Sequence, residues 1–268
     1  MNGSRRLENK VALVTGGGTG VGAATARLFT REGAKVVVTG RRPEPIEAVA
    51  KEIGGIAVAG DTSDPSHATE AVAAAVSNFG GLDIVVASAG IGITGTVGDM
   101  DDGNWHKQMD INLTGPMMMT RAAIPAMLER GGGSVVLVAS TNALAAAPAS
   151  AAYDVSKAGL IALARAIAVD YGPQGIRANA LCPGWIITPM GDEAMDELAA
   201  ERGLGGREDA YDLATGDVPL RRAGTAEEMA ACCLFLASDE SSIVTGTSLV
   251  ADGGGTAVEL TSRMFASD

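Results

Sequence analysis

Thr15-Gly16-Gly17-Gly18-Thr19-Gly20-Val21-Gly22 is the stretch on which the fold turns. It follows a five-residue apolar run, Val11–Thr15, and opens a segment of helical pattern over residues 22–32. Glycines allow backbone amides to approach a pyrophosphate closely, and a helix N-terminus adds partial positive charge. The spacing is Gly16-x-x-x-Gly20-x-Gly22, not the Gly-x-Gly-x-x-Gly of the usual dinucleotide fingerprint. A glycine-rich turn alone can be purely structural. Set between a strand and a helix, it predicts a phosphate cradle.

Outward from this loop, short runs rich in Val, Ile and Leu alternate with helix-length segments. The strands are expected at Val11–Thr15, 35–39, Ile56–Ala59, Ile84–Ala87, 134–139, 177–181 and Ser248–Ala251. Helices are expected at 22–32, Pro43–Ile53, 66–79 and Ala151–Tyr171, among others. Continuous hydrophobicity in the strands suggests burial on both faces, as in a parallel sheet. The expectation is an α/β fold in one domain spanning 1–268. It is doubly wound, Rossmann-type, with a mostly parallel seven-stranded sheet and helices on both faces. Residues 191–217 are acidic and punctuated by glycine, and read as an excursion of short helices, mobile or ordered. Residues 256–268 read as a tail that could cover a neighbouring subunit's site.

The net charge of -12 opposes binding of a polyanionic backbone, so no nucleic-acid partner is expected. A small anionic cofactor remains compatible, because a local pocket can oppose the global field. The three cysteines Cys182, Cys232 and Cys233 do not make a disulfide framework, and the adjacent pair reads as core. His67 and His106 lack ligand spacing and are expected at the surface, with no metal site. No apolar run is long enough for a bilayer span, so no membrane partner is expected and the expected compartment is the cytoplasm.

After the second strand the chain reads Thr39-Gly40-Arg41-Arg42, where an acid would bind a ribose 2'-hydroxyl. Guanidinium forks suit a 2'-phosphate, which favours NADP(H) while leaving NAD(H) possible. The alternative is that Arg41 and Arg42 are solvated surface charges.

Over residues 9–254 the chain resembles the classical short-chain dehydrogenase/reductase family. The resemblance rests on several elements in order: the glycine loop, Asp61, Asn112 in Asn-Leu-Thr-Gly, Ser140, Tyr153-x-x-x-Lys157, and Pro183-Gly184. Where the family carries Asn-Asn-Ala-Gly, this chain has Ala87-Ser88-Ala89-Gly90, which predicts a locally altered hydrogen-bond network.

The resemblance implies hydride transfer between a nicotinamide and a small alcohol or ketone. Tyr153 would be the general acid or base, Lys157 would lower its pKa and hold the ribose, and Ser140 would polarise the carbonyl. Asn112 would hold a relay water. The cofactor would meet Gly16, Gly18, Thr19, Gly20, Val21, Gly22, Arg41, Arg42, Asp61, Thr62, Ala89, Gly90, Tyr153, Lys157, Pro183, Gly184, Ile186 and Thr188. Asn142, Trp185 and Met190 would face the substrate, Trp185 being equally readable as a core aromatic. The four-residue spacing alone already places Tyr153 and Lys157 on one helix face. Apolar Leu144, Trp185 and Met190 suggest a compact hydrophobic ketone. A homotetramer, or a homodimer, is expected from family habit and from the small-residue helix 151–168. The alternatives are a non-catalytic dinucleotide-binding regulator, and a nicotinamide-assisted epimerase or dehydratase.

Overall fold

A computed structural model describes residues 5–259, so most of the expected C-terminal tail lies outside the described residues. In chain order the strands are β1 (Val11–Thr15), β2 (Lys35–Gly40), β3 (Ile56–Ala59), β4 (Ile84–Ala87), β5 (Gly133–Val138), β6 (Ile176–Pro183), β7 (Ile186–Ile187), β8 (Gly224–Thr225) and β9 (Ser248–Ala251). The α-helices are α1 (Gly20–Arg31), α2 (Pro43–Ile53), α3 (Pro65–Phe79), α4 (Asp102–Met109), α5 (Gly115–Glu129), α6 (Ala151–Tyr171), α7 (Pro189–Arg202), α8 (Arg207–Thr215) and α9 (Ala226–Ala237).

Seven strands form one sheet in the order β3-β2-β1-β4-β5-β6-β9, and every pairing in it is parallel. β7 and β8 pair separately. The alternation of β1 shows why its apolar run is unbroken. Val11 and Leu13 face a core closed by α3, α5 and α6, including Val72, Met119 and Leu160. Ala12 and Val14 face the opposite core with α1, α2 and α9, including Phe29, Ile46 and Leu234. Each buried aliphatic side chain of this kind contributes about 1.5–3 kcal/mol. A third cluster, Met195, Ala199, Ala210, Tyr211 and Ala223, lies between α7 and α8 and is separate from both.

Helix starts follow from local chemistry. Asp64 accepts the Ser66 amide ahead of α3, with Pro65 at the first helical position. Thr225 and Glu228 form a capping box at α9. α1 differs, since its N-cap Thr19 makes no side-chain capping bond.

Two residues depart from expectation. His67 is buried at 3% exposure, not at the surface. It packs against Gly60, where a methyl group would come within 2.1 Å of its Nδ1, so only glycine leaves the room. Burial lowers its pKa. Cys232 is half-buried, whereas its neighbour Cys233 is in the core with its thiol pushed up by burial to about 12. Among the described residues, no helix is long and apolar enough to cross a membrane.

Candidate active site

The strand order reverses between β1 and β4, and open α/β sheets bind ligands in the crevice beyond such a point. A cavity of about 420 Å³ lies there, walled by Gly16, Gly18, Thr19, Arg41, Arg42, Thr62, Ala89, Gly90 and Ile111. A smaller one, about 210 Å³, sits at the amino ends of the strands beside the Asp83–Arg130 ion pair and Arg177. Arg177 there already donates to the carbonyls of Leu236, Ser238 and Val244, so that seam is structural.

The phosphate loop requires its glycines. Gly16 has φ +65°, and a Cβ on it would lie 2.9 Å from the Ala89 amide nitrogen. A Cβ on Gly22 would sit 2.3 Å from the Gly16 carbonyl oxygen. Gly20 lies against Thr188, whose methyl a Cβ would meet at 3.2 Å, so the turn between β7 and α7 touches the loop. The Thr188 hydroxyl accepts the Gly191 amide and starts α7. Ala87-Ser88-Ala89-Gly90 has its own brace. The buried Thr15 hydroxyl oxygen accepts both the Ser88 and the Ala89 amides at 3.1 Å.

On the adenosine side, Arg41 and Arg42 are exposed on the cavity wall. Asp61 accepts the Ser63 amide and hydroxyl at 2.9 and 2.7 Å. Burial works against its charge, but those bonds and the Arg41 guanidinium hold its carboxyl below the usual range. Gly60 and Thr62, on either side of it, line the cavity.

Asn112 sits in a π-helical turn, Asp110–Thr114, between α4 and α5. Such turns recur at functional positions. Its Oδ1 accepts the Ile91 amide and its Nδ2 donates to the Ile91 carbonyl, both at 2.9 Å, which anchors the loop after β4. Nδ2 also donates to the Ser156 hydroxyl, which donates to the Tyr153 carbonyl. Lys157 is 5% exposed, and its Nζ donates to the Val138 carbonyl at 2.9 Å. It lies 5.5 Å from the Tyr153 ring centre. A Cβ on Gly90 would be 3.4 Å from both Lys157 Nζ and Asn112 Oδ1, so the cavity wall and these two side chains meet.

The electrostatics correct one expectation. Burial depresses Lys157 to about 8. Tyr153 is raised, not lowered: burial is the larger effect, Asp154 adds to it, and only hydrogen bonding with Ser140 opposes it. Ser140, past the end of β5, accepts the Asn142 amide at 3.2 Å. Trp185, Met190 and Leu144 are exposed by 44%, 47% and 48%, so Trp185 is not a core aromatic. Pro183 closes β6, and Gly184 packs on Asp252. Thr15, Asp154 and Ser156 are parts of this arrangement that sequence reading missed.

The uncapped α1 N-terminus, a cradle that side chains would fill, and the cavity between them fit a dinucleotide. Beside it stand a phenol, a hydroxyl and a buried amine that can exchange a proton with a bound oxygen atom.

Comparison with known proteins agrees with this geometry. A family model described as enoyl-(acyl carrier protein) reductase matches residues 16–256. Protein MoaE of Klebsiella aerogenes is 42% identical over 96% of this chain and 99% of its own length. Human dehydrogenase/reductase SDR family member 4 is 37% identical over 92% of this chain and 88% of its own. The crystal structure of levodione reductase superposes with a TM-score of 0.89 at 32% identity, covering 95% of this chain and 100% of that one. The chain belongs to the short-chain dehydrogenase/reductase family. It is an NAD(P)-dependent oxidoreductase acting on CH–OH and C=O groups of small molecules.

Proposed function

We propose that the chain interconverts a compact, uncharged ketone and its secondary alcohol, with Tyr153 as general acid and base and NADP(H) as the cofactor. The observation that carries this reading is the meeting of Tyr153, Lys157, Ser140 and Asn112 beside the glycine-lined cavity. In reduction, Tyr153 gives its proton to the substrate oxygen as charge develops there, and Ser140 donates a hydrogen bond to the same atom. When bound, the cofactor supplies the hydride and, in its oxidised form, a positive charge near the phenol. Lys157 holds the ribose hydroxyls, and Asn112 fixes the loop that closes the site and holds the relay water. The raised pKa of Tyr153 keeps it protonated at neutral pH, which suits the reductive direction. Arg41 and Arg42, with no acid at the end of β2, support a 2'-phosphate ligand. Exposed apolar Leu144, Trp185 and Met190 support an apolar substrate. Exposed Val155 and Val169 on α6 and Val250 on β9 support subunit contacts in a homotetramer. A cytoplasmic enzyme fits these features.

The test is fluorescence titration with NADPH and NADH, then turnover on a panel of levodione, cyclohexanone and an aldohexose. Tight NADPH binding with turnover supports the reading, whereas binding without turnover on any ketone or alcohol returns weight to a dinucleotide-binding regulator. Tyr153→Phe should lose about 10²–10⁴-fold in kcat, the usual range for removing a general acid, with NADPH affinity retained.

A further inference from the structure

Asp154 follows Tyr153 directly, in the first turn of α6. Its Oδ1 accepts the Asn142 side-chain amide at 2.7 Å, and its Oδ2 accepts the Ala147 backbone amide at 3.0 Å. The segment 141–147 crosses from Ser140 towards α6 and forms one 3-10 turn, with residues 144–146 exposed. Beyond its own turn and Ser140, this segment hydrogen-bonds only to Asp154 among the described residues. The Asn142 backbone amide, a different group from the side-chain amide that Asp154 holds, donates to the Ser140 oxygen. A hydroxyl has one hydrogen to give, so an oxygen already accepting from Asn142 has its donor directed elsewhere.

We propose that Asp154 is a positioning residue for the acid–base pair: it pins the 141–147 segment to the helix that carries Tyr153 and so sets the direction of the Ser140 hydroxyl. The inference rests on the acid–base reading given above. Bonds to a carboxylate are stronger than those between neutral groups, so two of them can fix a segment whose other anchors are its own turn, Ser140 and the packing of Ala143. Besides its charge, which helps raise the Tyr153 pKa, Asp154 acts on the reaction through the 141–147 segment and Ser140.

The test is steady-state kinetics on Asp154→Ala, Asp154→Asn, Asn142→Ala and the double Asp154→Ala with Asn142→Ala variant. The reaction uses NADPH and whichever panel compound the unaltered chain turns over fastest. Asp154→Ala should lower kcat about 10- to 100-fold, the rate equivalent of losing charge-assisted bonds that align a donor. NADPH affinity, read by titration, should not change. Asp154→Asn keeps one acceptor oxygen and should lose less. Because Asp154→Ala already releases the Asn142 side chain, the double variant should be no slower than the slower single variant.

Unchanged kcat in Asp154→Ala, or losses that multiply in the double variant, would overturn the assignment. If Asp154→Ala does not fold, the same comparison is made with Asp154→Asn in its place. Tyr153→Phe is measured alongside. Turnover retained there refutes the underlying acid–base reading, as does absence of turnover by the unaltered chain across the panel. An inactive Tyr153→Phe beside a fully active Asp154→Ala refutes this inference alone.

Discussion

Replacing Lys157 with methionine should make the cofactor-free chain more stable while removing its activity. The lysine is buried, with its ammonium donating to the Val138 carbonyl, and burial lowers its pKa from 10.5 to about 8. At about 1.4 kcal/mol per pKa unit, that depression sets about 3 kcal/mol against the ammonium form at pH 7. Methionine has similar length and no charge to desolvate, but it leaves the Val138 carbonyl without its donor, at a cost of about 1 kcal/mol. The net gain of about 2 kcal/mol corresponds to a Tm rise of about 4–8 °C for a chain near this size.

The sign has a pH signature. Below about pH 8 the lysine is protonated in both folded and unfolded chains, and the full penalty is present. Between about 8 and 10.5 the unfolded chain binds the extra proton, so stability of the unaltered protein rises with pH and the advantage of methionine shrinks. Thermal melts of both proteins at pH 7 and pH 10, without cofactor, measure it. A Tm that falls at pH 7, or a gain that does not narrow at pH 10, would refute the claim that Lys157 is held as a strained ammonium.

Other outcomes are open to simpler assays. Gly22→Ala forces a methyl to within 2.3 Å of the Gly16 carbonyl, so α1 must shift away from the loop. Stability should drop by about 1–3 kcal/mol, and titration should show weakened binding of both dinucleotides. Arg41→Ala should weaken NADPH about 10-fold or more, as expected for a lost charge-assisted contact, and leave NADH nearly unchanged. Equal losses would mean that Arg41 does not read the phosphate. Alcohol oxidation needs the Tyr153 phenolate and should rise with pH above neutrality, while ketone reduction needs the phenol and should fall at high pH. Initial-rate profiles in both directions check this, and two profiles that move together would contradict it.

The sheet was legible because its strands are uninterrupted apolar runs, a pattern that demands cover on both faces. Strand ends were less so. β6 begins at Ile176 and runs through polar Arg177 and Asn179, which sit in the strand because neighbouring carbonyls accept from their side chains. α4 has no apolar stripe to read, since only Gln108 of its eight residues is buried. His67 was misplaced because its burial depends on a glycine seven residues earlier in sequence.

The site divides the same way. Tyr153 and Lys157 announce themselves by spacing, since i and i+4 share one helix face, and Ser140 is marked by the family resemblance. Thr15 works across 73 residues, through backbone amides of the loop after β4, and nothing in local pattern marks it. Asp154 reads as an ordinary acid in a first helical turn until the two amides that donate to it are seen. The environment of Tyr153 was misjudged because the sequence shows the neighbouring lysine but not the depth at which both lie.

The small core between α7 and α8 shares no buried residue with the two cores that hold the sheet. Arg207 reaches from α8 to Asp192 and Asp196 on α7, and the Tyr211 hydroxyl lies 3.1 Å from Asp192. A unit with its own interior can open or melt without dissolving what lies beneath it. It can also accumulate substitutions whose destabilising effects stay local. Residues 189–215 are therefore a natural segment to exchange between relatives: a transplanted pair of helices brings its own packing apart from Ala223, and the two cores that hold the sheet need not be rebuilt around it.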